Sequence, residues 1–143
     1  MRNKQIGSCF CNNISFVMEL TQPLNQYNPR ECDCDFCQKH GSAAISDKDG
    51  TLDITIKDLQ LLSKFRQGSN LAEFLICKIC GVFVAVCYDD YGKIYGAINS
   101  RTVTNKKEFG SNTLVSPEKL SNDEKIQRWK MLWFPNVHIE NDW

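Results

Sequence analysis

No stretch of this 143-residue sequence is apolar for long enough to cross a bilayer, so no membrane partner is expected. The opening Met1-Arg2-Asn3-Lys4-Gln5-Ile6-Gly7 carries positive charge but lacks the apolar run of an export signal, and a cytoplasmic protein is expected. Net charge is missing as well. Seventeen Lys plus Arg balance seventeen Asp plus Glu, so neither counterion release nor a long-range field draws the chain to a polyanion, and no nucleic acid partner is expected. Low-complexity tracts and fixed-period repeats are absent, which excludes a solenoid and a long flexible linker.

What remains is an ordinary globular composition, 42% hydrophobic and 24% charged, far from the disordered corner, at the length of one domain with its own core. Alternating apolar, β-branched and aromatic residues predict strands at Ile14 to Leu20, Thr51 to Ile56, Leu71 to Ile76, Val82 to Tyr88 and Lys93 to Ser100. Turn chemistry at Gln22-Pro23, Asn28-Pro29, Asp49-Gly50, Gln67-Gly68-Ser69-Asn70 and Asp89-Asp90-Tyr91-Gly92 falls so close together that antiparallel hairpins and meanders follow. Only the C-terminal third reads as helical. Ser121-x-x-Glu124 has the form of a capping box, and Ile126, Trp129, Leu132 and Trp133 then share a face that packs on the sheet. The fold class is mainly β with a short helical C-terminal segment.

Eight cysteines in a chain without an export signal point to metal rather than disulfides, because a reducing compartment keeps thiols free. They cluster as Cys9-Phe10-Cys11, Cys32-Asp33-Cys34-Asp35-Phe36-Cys37 and Cys77-Lys78-Ile79-Cys80, with Cys87 alone. In an extended C-x-C, residues i and i+2 point to the same side, which makes a bidentate edge. A C-x-x-C turn followed by Gly81 is the common zinc-knuckle form. Structural zinc takes four ligands, and two such pairs complete one shell: Cys9, Cys11, Cys77 and Cys80 are the expected ligands of a structural zinc.

Cys32, Cys34 and Cys37 then form a second zinc site with an open position, the pattern of a catalytic metal. Three thiolates make that site anionic and soft, poorly suited to ionising water and well suited to a thiol substrate. Cys87, in an apolar strand, reads as core and shares a face with Phe83 and Ala85 by alternation. Alternatives stay open at this stage. His40, Asp33 or Asp35 could close the three-cysteine site so that it only braces a loop, and His40 could instead relay a proton or cap the backbone. Arg30, Lys39 and Arg101 could offset the site's charge or hold a substrate carboxylate. Iron in the closed shell and a disulfide framework are rival accounts. A zinc deaminase is not indicated, since its Glu two residues after the first ligand and its Pro-Cys-x-x-Cys are both missing.

The three motifs, Gly7-Ser8-Cys9-Phe10-Cys11, Cys32 through Gly41 and Cys77-Lys78-Ile79-Cys80-Gly81, resemble in order and spacing those of the glutathione-dependent formaldehyde-activating enzyme family, which includes centromere protein V-related members. Tyr95 to Val103, with Asn99-Ser100-Arg101-Thr102-Val103, looks like the strand and turn that follow there, so the likeness covers about residues 5 to 104. It implies tent-like antiparallel sheets stapled by zinc, a structural zinc on the first and third motifs, and a second zinc on the middle one. It also implies carbon–sulfur lyase activity, joining glutathione and formaldehyde reversibly to S-(hydroxymethyl)glutathione. Departures are Asn12 where the family often has Gly, Asp35 and Gln38 where it often has Ser and Arg, and Val103-Thr104 in place of Leu-Asp.

The expectation is one zinc-binding domain over 1–143, with residues 105–143 as a helical extension. Its function is a zinc-dependent carbon–sulfur lyase acting on glutathione or another small thiol and a small aldehyde, with Cys32, Cys34, Cys37 and His40 as the catalytic group. The alternative is a non-catalytic, zinc-stabilised module that binds a protein partner.

Overall fold

The structure, a computed structural model, describes residues 2–141; Met1, Asp142 and Trp143, included in the expected 1–143 domain, lie outside the described residues. Its first sheet has four strands in the order β1 (Asn3–Ser8), β2 (Ile14–Leu20), β5 (Thr51–Ile56) and β11 (His138–Asn141). A second, seven-stranded sheet runs β10 (Thr113–Val115), β3 (Arg30–Cys32), β4 (Ala44–Ile45), β9 (Lys93–Asn99), β8 (Phe83–Asp90), β7 (Glu73–Cys77) and β6 (Leu62–Phe65). The mainly β class with a short C-terminal helix is as the sequence reads, and β6 through β9 form the expected meander. The sheets are mixed, however, since β10 lies parallel to β3 and β11 parallel to β5. Both strands arrive by long connections rather than hairpins, and only such connections allow parallel pairing.

Strict alternation in β2 buries Ile14, Phe16, Met18 and Leu20, and the register sets Phe16 opposite Ile54 and Met18 opposite Leu52. These residues meet Leu75, Val84 and Ile98 of the second sheet in a core that joins the two. Each fully buried side chain of this size contributes about 1.5–3 kcal/mol relative to exposure. A β-bulge makes Val84 and Ala85 both face this core, with Cys87 beside them, and turns Phe83 to the opposite face. The expectation that Cys87 shares a face with Phe83 fails for that reason.

That opposite face carries the second core, where Phe83, Val86, Tyr95 and Ala97 are covered by Trp129 and Trp133. Helix α2 (Asn122–Leu132) and its C-cap supply the two indoles, stacked with centroids 4.8 Å apart. Both halves of the Ser121–Glu124 capping box form, Glu124 N donating to Ser121 Oγ at 3.2 Å and Ser121 N to Glu124 Oε1 at 2.9 Å. The extension is less helical than expected, because β10 and β11 leave it to complete one sheet each. A helix outside the C-terminal third was also not expected. Helix α1 (Asp35–His40) forms because Cys34 caps its N-terminus and the Gly41 N–H closes it on the carbonyls of Cys37 and Gln38. No helix among the described residues is long and apolar enough to cross a membrane.

Candidate functional site

The C-x-C pair sits in the turn between β1 and β2 rather than in extended strand. Cys9 N donates to Ile14 O at 2.9 Å and closes that turn, while Asn12 takes the left-handed conformation with φ 69°. Asparagine tolerates that backbone better than most residues. The C-x-x-C pair occupies the hairpin tip between β7 and β8. Gly81, at φ 75°, donates to Cys77 O at 2.9 Å and turns the chain back into β8.

All four sulfurs, of Cys9, Cys11, Cys77 and Cys80, lie within 4.8 Å of one another. Cys9 Sγ is 3.8 Å from Cys11 Sγ, and Cys11 Sγ is 3.4 Å from Cys77 Sγ. Tetrahedral zinc with bonds of about 2.3 Å needs sulfurs about 3.8 Å apart, so the group fits that ion. The two pairs belong to different sheets, so an ion here would tie one to the other. Amide N–H groups already aim at the sulfurs, from Ile14 to Cys9 at 3.3 Å and from Cys80 to Cys77 at 3.5 Å. Burial pushes the Cys9 thiol up to about 12. Cys80 is held down to about 6 against the same burial effect by backbone hydrogen bonds at Val82 and Cys11.

Cys32, Cys34 and Cys37 also bring their sulfurs within 4.8 Å of one another. Cys32 ends β3, Cys34 is the N-cap of α1, and Cys37 sits one turn into that helix. Cys34 N donates to Cys32 Sγ at 3.5 Å and Cys37 N to Cys34 Sγ at 3.4 Å. The hydrogen bond with Cys37, above all, brings the Cys32 thiol down to about 6 against burial; the same bond and burial push Cys37 up. The donor set suits zinc as the first one does, with one difference: among the described residues, no fourth His, Cys, Asp or Glu atom joins this group.

None of the three side chains that could have closed it joins the group. Asp33 accepts from Ser116 Oγ, and its other carboxylate oxygen is buried without a partner among the described residues. Asp35 pairs with Lys39 at 3.0 Å on the exposed face of α1, so its extra negative charge is offset there. His40 is exposed, its ring 4.3 Å from that of Phe36. Gln38, at a position where the family often has Arg, donates to Asp33 O at 2.9 Å and braces the loop. Arg101 Nε donates to Gly41 O at 2.6 Å behind α1. Val103 is buried and bridges to Gly7, and Thr104 N donates to Ile6 O at 2.9 Å, so this segment packs on β1. Cys87 is buried apart from both groups, its thiol pushed up to about 12 by burial.

The three sulfurs open onto a cavity of about 160 Å³. Phe74 and Phe83 line it from the sheet, and Lys125, Arg128, Trp129 and Trp133 line it from α2 and its cap. Arg30 reaches it from β3, where Nη2 donates to Ser46 Oγ at 2.8 Å, and Ser46 Oγ donates to Leu132 O at 2.6 Å. Burial, and then Arg128, lowers the Arg30 guanidinium to about 10. Burial lowers Arg128 too, with the charge of Cys32 opposing that shift. Lys39, Arg101 and His40 do not line the cavity. Sequence reading placed Arg30 among the candidate cations and missed Lys125 and Arg128. Their signal was present: Lys125, Arg128, Trp129 and Leu132 follow the i, i+3, i+4, i+7 spacing of one helix face, so charge sits on the face that turns inward.

No curated protein matches the chain. A crystal structure of a Rhodobacter sphaeroides protein, a structural-genomics target, superposes on it with a TM-score of 0.57 at 20% identity, covering 77% of this chain and 99% of the other. That likeness shows the fold. Residues 4–116 match the family described as glutathione-dependent formaldehyde-activating enzyme, a span that contains both sulfur groups and ends before α2. This chain belongs to the glutathione-dependent formaldehyde-activating enzyme family.

Proposed function

We propose that this protein is a carbon–sulfur lyase that joins glutathione or another small thiol to a small aldehyde, with zinc in both sulfur groups and the chemistry at Cys32, Cys34 and Cys37. The single observation behind it is that three converging sulfurs, joined by no fourth His, Cys, Asp or Glu atom among the described residues, open onto a cavity. Family membership supports the substrate pair. Bound at those three sulfurs, zinc would supply a positive centre that lowers the pKa of an incoming thiol. The thiol gives up its proton, its sulfur forms a bond to the carbonyl carbon, and the carbonyl oxygen takes a proton to become a hydroxyl. No oxidant or reductant is needed, and the reverse reaction retraces the same bonds.

In this reading the chain's residues do three things. Cys34 and Cys37 fix the geometry through the amide-to-sulfur bonds at the start of α1. Phe74, Phe83 and the two indoles keep water from the reacting carbon, and fixed placement of the partners lowers the barrier. Arg128 offsets the negative charge of Cys32. We assign no step to His40. The four-cysteine group is structural in this proposal, and a cytoplasmic, reducing setting belongs to it because the sulfurs must stay reduced.

Cys34→Ser tests the reading. It should retain the fold, lose one of two zinc ions and slow thiol–aldehyde turnover by at least about 100-fold. Unchanged turnover with the second zinc gone would rule out chemistry at this group. A second reading, a zinc-braced module for a protein partner, draws on the exposed apolar tips Phe10 and Ile79 beside the four-cysteine group. It predicts that Phe10→Ser together with Ile79→Ser abolishes partner binding, and that no thiol adduct turns over.

A further inference from the structure

Three cations at the cavity have no carboxylate partner among the described residues. Among the described residues, Arg30, Arg128 and Lys125 form no ion pair with any carboxylate within 4.0 Å. Arg30 and Arg128 are both half-buried, and an unpaired guanidinium withdrawn from water is costly unless something of opposite charge arrives. Glu118 also lines the cavity but is exposed. Among the described residues the one side-chain partner of Arg30 is the neutral Ser46, which leaves most of its donor fork unused.

Two of these cations come from α2, beyond residue 116 where the family match ends. The three cysteines, by contrast, lie well inside that match. The helix therefore adds to the sulfur site a wall that carries both positive charge and stacked indoles. A cavity of about 160 Å³ is small. An apolar cavity of about 150 Å³ takes a benzene molecule, so the space beside the sulfurs takes a group of about that size, while the open mouth leaves the rest of a larger thiol outside it.

We propose that α2 makes the three-cysteine site selective for a small thiol that also carries a carboxylate, with the sulfur at Cys32, Cys34 and Cys37 and the carboxylate in the forks of Arg30 and Arg128. This inference rests on the proposed thiol chemistry and adds the class of thiol. Planar, always-charged guanidinium groups match a carboxylate with paired parallel hydrogen bonds, which a neutral or cationic thiol cannot accept. Lys125 adds positive charge at the same wall. The rival explanation is that the arginines serve only the negative charge of the sulfurs, and then any thiol would benefit from them equally.

The two are separated by binding to the cobalt(II)-substituted protein, read from the visible absorption of the metal as thiol is added. The probes are 3-mercaptopropionate and 2-mercaptoethanol, alike in length and different in charge. In the natural chain 3-mercaptopropionate should bind at least about tenfold more tightly, and Arg128→Gln should bring the ratio of the two affinities to within about twofold of one by weakening 3-mercaptopropionate the more. Equal binding of both thiols to the natural chain overturns the inference without any variant, so a poorly folded Arg128→Gln protein does not shelter it. Loss of affinity for both thiols alike in Arg128→Gln also overturns it, in favour of the charge-offset explanation. If neither thiol alters the spectrum, the thiol chemistry itself fails, and the inference with it.

Discussion

The sulfur of Cys11 lies 3.4 Å from that of Cys77, although the two residues are 66 positions apart in the chain. One belongs to the turn after β1 and the other to the end of β7, so the contact joins the edge of one sheet to a hairpin of the other. Replacing Cys77 by Ser should therefore release both segments at once. We expect a loss of at least about 3 kcal/mol, or about 10 °C in Tm for a chain of this size, and chelator should no longer lower Tm further. Thermal unfolding with and without chelator measures it.

Asn12 holds a left-handed backbone with φ 69° beside Cys11. Glycine adopts that conformation without steric cost, and a β-branched residue pays heavily for it. Asn12→Gly should leave stability within about 0.5 kcal/mol and zinc content unchanged, whereas Asn12→Val should cost about 1–2 kcal/mol. Denaturant titration of the two variants checks the difference.

Asp47 is buried, and its carboxylate accepts from Thr21 N at 2.8 Å, Thr21 Oγ1 at 2.7 Å, Tyr27 Oη at 2.6 Å and Asp49 N at 2.9 Å. Burial raises its pKa, but these donors outweigh burial and hold it below the ordinary 3.8. A group whose pKa is depressed by folding stabilises the native state above its unfolded pKa and loses that stabilisation as pH falls through its folded pKa. Stability should accordingly drop below about pH 3.8. Asp47→Asn should cost about 2–3 kcal/mol at neutral pH and flatten the acid limb of the stability curve. Unfolding measured from pH 7 down to pH 2.5 shows whether the limb flattens.

Legibility in the sequence followed local pattern strength. Ile14–Leu20 and Thr51–Ile56 emerge at their true bounds because one face of each is fully buried and the alternation is strict. Strand β1 gave no such signal. Its lone large apolar residue, Ile6, is half exposed at the sheet edge, and only pairing with β2 makes Asn3–Ser8 a strand. Strands β10 and β11 are short and depend on partners far away in the chain, which no local pattern reports.

The sulfur groups were readable because ligand spacing is itself local, and only the pairing of Cys9 and Cys11 with Cys77 and Cys80 is long-range. Their mechanism of convergence was not: Cys9 and Cys11 meet through a turn closed at Ile14, and Cys34 reaches its neighbours as a helix cap. The bulge at Val84 broke the period-two rule and sent Phe83 to the cavity side. Above all, the wall supplied by Arg128 and the two tryptophans looked like ordinary helix packing, since sequence does not show that α2 lies over the three cysteines.

Zinc counted per chain in protein purified under reducing conditions tests the central claim most directly, for the natural chain and for Cys34→Ser side by side. Near two for the first and near one for the second, with both proteins folded, is what two separate sulfur centres predict. A natural chain that holds one zinc or none, or a Cys34→Ser protein that still holds two, would contradict it.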